Sequence, residues 1–253
     1  MPAARSSEAL AAQAHRVSGS CWRVVEGQHY VSTLALVDSV AEQRRLEELI
    51  EATKPMLPVE CRALQYLLST PFRYRPYPRG SRFRRAGSTP GVFYASAAIE
   101  TAIAEAAFYR LLFFAESPAT PWPANPSQHT GFSVRYGSAR SIDLTRPPFV
   151  RQHKRWMHPT EYESCQALAD EARAAGLEII RFASVRDPER RLNIALLTCR
   201  AFRAKAPGET QSWRIRLGPT GVQAVREFPR TSIEFQRDAF SADARIAAIG
   251  WER

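Results

Sequence analysis

FRYRPYPRGSRFRRAGSTPGVFYASAAIETAIAEAAFYRLLFF, residues 72–114, is the stretch around which the chain reads. It opens on a loop punctuated by Pro76, Pro78, Gly80, Gly87, Pro90 and Gly91 and crowded with Arg73, Arg75, Arg79, Arg82, Arg84 and Arg85. Glycine and proline interrupt regular structure, so a loop is expected over 71–91. A short apolar strand, Val92 to Tyr94, follows, and then a helix from about Ala97 to Phe114. On that helix residues 98, 102, 105 and 109 share a stripe, which places Glu105 between Ala102 and Tyr109. Read from the helix alone, Glu105 is an ordinary glutamate at the edge of an apolar face. Most of the arginines read as solvated, with one or two suited to a phosphate, which a guanidinium fork binds in bidentate fashion.

Outward from this stretch, residues 1–20 are Ala/Ser-rich and Cys21 to Ser32 has strand-forming content. A helical pattern runs from Ser39 to Thr53, and Pro58 opens another that carries Leu64, Leu67 and Leu68. Residues 1–70 therefore read as an α-helical N-terminal extension, and 71–253 as the main domain. Strands are expected at 131–136 and 138–142, joined by a turn near Gly137. A helix from Thr160 to Ala175 stops at Gly176. Strands follow at Leu177 to Ser184, Leu192 to Phe202, 211–216, 221–227 and 231–236. Strands and helices do not alternate regularly, so the fold class is α+β, a mixed β core with surrounding helices.

The formal charge of +10 comes almost entirely from arginine. It is compatible with phosphate ligands, nucleic acid or an acidic partner and does not choose among them. The basic-aromatic segment Arg151 to Trp156 keeps a non-enzymatic nucleic-acid-binding protein as the alternative, although no DNA-reading motif is present. No apolar run reaches the ~18–20 residues that span a bilayer. The N-terminus lacks an apolar signal core, so the default location is the cytoplasm. Cys21, Cys61, Cys165 and Cys199 are scattered without a CxxC pair and read as packed or surface thiols of a reducing compartment. His153 and His158 lack acidic partners at ligand spacing, and no HExxH occurs, so no metal is expected. Ser184 has no GxSxG context, which argues against a hydrolase-type serine nucleophile.

Taken together, Gly80-Ser81-Arg82-Phe83, GVFYAS, TAIAE, the Tyr162…Gln166 helix, ASVR and the following Asn193 resemble the RES-domain toxins, which are encoded beside Xre-like antitoxins. The resemblance covers roughly residues 72–202, in family order, and includes the Tyr94-to-Glu105 separation of eleven. It implies an ADP-ribosyltransferase-like fold that takes NAD as substrate without a metal. Cleavage at the nicotinamide–ribose bond then amounts to a glycohydrolase, a phosphorylase or a mono-ADP-ribosyltransferase acting on a protein of nucleotide metabolism. The acceptor stays open among water, phosphate and a protein side chain. The family's glutamate maps to Glu105, its tyrosine to Tyr94 and its serine to Ser184, with Arg186 and Asn193 nearby in the motif. Its arginine maps first to Arg82 and second to Arg84, with Arg73 a further candidate for the pocket. The resemblance also implies an antitoxin covering the site, contact with nucleic acid only through that antitoxin, and no membrane.

Overall fold

The architecture was obtained as a computed structural model, which describes residues 2–27, 36–73, 80–87 and 91–252. Its centre is an eight-stranded sheet: β1 (His15–Glu26), β2 (Phe93–Ser96), β3 (Ser127–Asp143), β4 (Ile179–Ala183), β5 (Leu192–Leu196), β6 (Thr210–Gly218), β7 (Gly221–Arg226) and β8 (Thr231–Gln236). The spatial order is β1-β2-β5-β4-β3-β6-β7-β8, and β1 also pairs with β3, so the first five strands close on themselves. Within that ring only β3 and β4 run parallel. A parallel connection needs a long crossover, and the helix α4 lies within it (numbering α1, Pro2–Ala11; α2, Val40–Thr53; α3, Ile99–Ala115; α4, Glu163–Ala174). The mixed α+β class expected from the sequence is the one observed.

Three apolar clusters hold these layers together. Phe93, Phe132, Val134, Ile194, Leu196 and Phe202 pack with Cys61, Leu68 and Phe72 of the turns that precede the arginine loop. A second cluster joins Leu168, Ala169 and Ala172 of α4 to Ile142, Ile180 and Phe83, with Leu10 of α1 added to it. The third packs Ile103, Ala107, Phe108 and Leu111 of α3 against Trp213, Ile215 and Leu217 of β6 and Val222 of β7. Helix α3 also touches β1 and β2, so it is apolar around most of its circumference, as a helix buried on several sides must be. Helix α2 is the opposite case. Ser39 caps it by accepting from Glu42 N at 3.1 Å, but Gln43 is the one residue it buries and Val40 is 61% exposed.

Several expectations need correction. Gly137 is not a turn: β3 runs through it for 17 residues, paired with Ser18. Glycine suits the close packing there, because a Cβ would stand 3.1 Å from Ser18 Cβ and 3.3 Å from Val17 O. The boundary at residue 70 is not a break in the fold either. Residues 1–70 supply β1, whose register with β3 extends from His15↔Ser141 to Glu26↔His129. Strand content beginning near Cys21 was legible, but not its place in the ring, which depends on a partner more than a hundred residues away. The segment after Pro58 forms only the short turns Val59–Cys61, Tyr66–Ser69 and Thr70–Phe72. The strand begun at Leu192 ends at Leu196 and gives way to a 3-10 turn at Cys199–Ala201. That turn meets the one at Val59–Cys61, and Cys61 and Cys199 form a disulfide with Cα atoms 5.6 Å apart, contrary to the expectation of four thiols. Cys21 and Cys165 are buried free thiols.

The approach to β2 is sterically tight. A Cβ on Gly91 would lie 1.9 Å from the Pro71 carbonyl oxygen, whereas one on Gly218 would meet nothing within 4 Å. Gly91→Ala is therefore expected to cost about 1–3 kcal/mol in chemical denaturation and to lower the melting temperature. Gly218→Ala is expected to stay within about 0.5 kcal/mol of the parent.

Candidate active site

A cleft of about 760 Å³ opens between β1, β2 and α3, a size suited to a dinucleotide-scale ligand. β1 and β2 pair at one position, Trp22↔Ser96, and residues beside that pair, among them Arg23, Val24 and Tyr94, line the opening. Helix α3 presents Ala102, Glu105 and Tyr109 to it, three of the four positions of the stripe read from helical spacing, together with Ala106. Among the lining residues Glu105 is the one carboxylate, and it shares the cleft with Arg23, Arg82, Arg84 and Arg186.

Glu105 is tied down from the sheet side. The Ser184 hydroxyl donates to its Oε1 at 2.7 Å, and Asn193 Nδ2 donates to the same oxygen at 2.6 Å. The orientation of the Asn193 amide follows from its other bond, in which Ser96 Oγ donates to Oδ1 at 2.7 Å from the adjacent strand. Both anchors thus fall on Oε1, and no described residue donates to Oε2. Ser184 itself is wholly buried just past the end of β4. Its oxygen accepts from the backbone N–H groups of Arg186 (3.2 Å) and Asp187 (2.9 Å) while its proton goes to Glu105. A hydroxyl so engaged acts on Glu105.

The arginine crowd separates by location. Gly80 adopts φ +64°, and a Cβ there would sit 2.7 Å from Arg84 O and Ala86 N. Beyond it, Ser81 N bonds Arg84 O at 2.7 Å and closes a tight turn. This turn buries Arg82 and Arg84 at the cleft and sends Arg85 outward to Asp170, 2.6 Å away. Arg82 donates to the carbonyls of Trp156 (2.7 Å) and His158 (3.0 Å), and its guanidinium lies over the Tyr162 ring at 4.7 Å. Arg73 is not brought to the cleft, because its guanidinium is held by the Glu51 carboxylate and the Pro55 carbonyl. Arg75 and Arg79 lie outside the described residues.

Tyr94 lies in the cleft wall with its hydroxyl bonded to Ser81 Oγ at 2.9 Å and accepting from Phe83 N at 2.8 Å. Burial of the phenol pushes its pKa up to about 12, against opposing pulls from those bonds and from Arg82 and Arg173. Arg186, also buried, lies 3.7 Å from the Phe108 ring centroid and lines the cleft.

Two contributors were missed in the sequence. Arg23 donates to the Tyr94 carbonyl at 3.2 Å and lies over Phe93. Its signal was an arginine inside the otherwise strand-forming run CWRVV, where a charged side chain needs a reason. Asp187 is buried and accepts from Thr101 Oγ1 (2.7 Å), one helical turn before Glu105, and from Arg191 (2.9 Å). It locks the 184–191 loop onto α3. In the basic-aromatic segment, Trp156 is buried with its indole N–H on the Phe149 carbonyl, so it is not available to stack on a nucleic-acid base. Among the described residues no His/Cys/Asp/Glu group arranged to hold a metal is found, and no helix is long and apolar enough to cross a membrane.

Comparison with known proteins gives one family match, described as the RES domain, over residues 57–218. No curated protein matches. Among solved structures, a chain of the M. tuberculosis MbcT–MbcA toxin–antitoxin complex is similar, with a TM-score of 0.47, 10% identity and 97% of each chain covered.

Tyr94 supplies a test of the local electrostatics. Because its phenol titrates higher in the folded chain, the unfolded chain releases that proton first, and stability is lost as pH rises from about 10 toward 12. Tyr94→Phe should flatten this alkaline loss in denaturation midpoints. At neutral pH the same variant should be less stable by ~1–3 kcal/mol, since it strands the Phe83 N–H.

Proposed function

The chain belongs to the RES domain family, and on that premise we propose that its cleft binds NAD and cleaves the nicotinamide–ribose bond. The observation that carries this reading is Glu105: the one carboxylate in an arginine-lined cleft, anchored through Oε1, with no described residue donating to Oε2. As nicotinamide leaves, positive charge develops on the ribose. A preorganised carboxylate stabilises that charge and hydrogen-bonds a ribose hydroxyl, without reorganising at the moment of reaction. Ser184 and Asn193 supply the preorganisation. The cleft arginines neutralise the diphosphate, with Arg82 and Arg84 on one wall and Arg23 on another. The exposed part of the Tyr94 ring offers a face to nicotinamide or adenine.

In the hydrolytic form of the reaction, water adds to the ribose carbon, nicotinamide departs with the bonding electron pair, and one proton is released. Phosphate or a protein side chain takes the place of water in the other two forms. The fold belongs, on this reading, with the ADP-ribosyltransferases, and the protein acts as the toxin of a toxin–antitoxin pair whose Xre-like antitoxin covers the cleft. The net charge of +10 suits an acidic partner.

Purified protein should release nicotinamide from NAD, measured by chromatography. Glu105→Gln, which keeps the side-chain shape but removes the charge, should lower the rate at least ~100-fold. Undiminished turnover by that variant would remove Glu105 from the chemistry. Labelled NAD incubated with cell lysate sorts the acceptors: a labelled protein band marks transfer, and free ADP-ribose or its phosphate marks degradation.

A further inference from the structure

Beyond the family segment, the C-terminal stretch contributes a buried carboxylate behind the cleft-lining Arg186. Asp243 accepts from Arg186 Nη1 at 3.2 Å and from Arg245 Nε and Nη2 at 3.0 and 2.8 Å. The two arginines differ in what they need from it. The Arg245 side chain is 40% exposed and keeps water around its charge, whereas that of Arg186 is 6% exposed and has Asp243 as its carboxylate partner. A buried guanidinium without a counter-ion is strongly disfavoured. Arg186 in turn donates through Nη2 to the Pro159 carbonyl and to the Tyr162 hydroxyl at 3.3 Å, with its flat face on Phe108. The Tyr162 ring is the surface on which the Arg82 guanidinium rests.

We infer that Asp243 is a positioning residue of the cleft: it pins Arg186 flat on Phe108, and Arg186 holds Tyr162 beneath Arg82. A residue outside the 57–218 segment therefore sets the placement of two cleft arginines. Without the carboxylate, Arg186 gains by turning toward the open cleft, where it can be solvated, and Tyr162 loses its hydroxyl partner. The positioning is a property of the fold, and its effect on substrate rests on the NAD reading given above.

The informative variant is Asp243→Asn. It keeps the side-chain volume and the cap on the helical turn Ala244–Ala247, since asparagine caps as well as aspartate. Nitrogen-15 NMR of the arginine guanidinium groups reads the positioning without any substrate. In the parent, the Arg186 Nη protons should be resolved from one another because rotation is blocked. In Asp243→Asn they should merge into one averaged signal. The KM for NAD should rise about tenfold with kcat within about threefold, the signature of lost binding geometry rather than lost chemistry. Arg245→Met retains Asp243 and should leave both the Arg186 signals and KM unchanged. Resolved Arg186 signals that persist in Asp243→Asn would overturn the inference. So would an Arg245→Met variant that loses them to the same degree, because Asp243 would then serve the C-terminal turn alone. If the parent does not turn over NAD, the functional reading fails, and the NMR comparison still decides the positioning.

Discussion

The site depends on one oxygen atom. Glu105 Oε1 accepts from Ser184 at the end of β4 and from Asn193 on β5, so a helix and two sheet strands meet at a single hydrogen-bonded carboxylate. Each donor is fixed by a further bond. Ser96 on β2 orients the Asn193 amide, and the N–H groups of Arg186 and Asp187 seat the Ser184 hydroxyl. Charge-assisted bonds of this kind are stronger than neutral ones, and in a partly buried site they fix geometry that would otherwise cost reorganisation. The small residues Ala102 and Ala106 beside Glu105 leave room for a ligand against the helix.

Around that carboxylate the cleft is assembled from distant pieces. β1 brings Arg23, the 80–87 turn brings Arg82 and Arg84, the 184–191 loop brings Arg186, and the C-terminal segment brings its counter-ion. Closure of the ring through the β1–β3 pairing makes this possible, because it carries the N-terminal strand to the edge of β2. Helix α3, buried between the ring and the β6–β7 hairpin, holds Glu105 at a fixed height over the sheet. A rigid scaffold under a set of arginines, most of them loop-borne, is the arrangement that suits an elongated anion.

What could be read in the sequence follows from the range of the interactions. Glu105, Ala102 and Tyr109 were placed together by helical periodicity, which is local, and the structure keeps that stripe at the cleft. Gly176 ends α4 with φ +66° as a glycine stop should. The end of β4 at Ala183 delivers Ser184, as expected of a strand end. Pairings between distant segments left no local trace. Gly137 looked like a turn because glycine's packing role against Ser18 depends on a strand more than a hundred residues earlier. Cys61 and Cys199 showed no spacing signal because two unrelated turns bring them together. Arg73 was a further candidate for the pocket in the same crowded loop as Arg82. Only the positions of Glu51 and Pro55 draw it away, and they belong to the segment that seemed a separate extension.

The central claim is that NAD lies along this cleft with its nicotinamide ribose at Glu105. It is tested most directly by a crystal structure of the Glu105→Gln protein soaked with intact NAD. The account predicts the nicotinamide ribose beside residue 105 and the diphosphate among Arg23, Arg82 and Arg84. An empty cleft at saturating NAD, or NAD bound elsewhere on the chain, would contradict it.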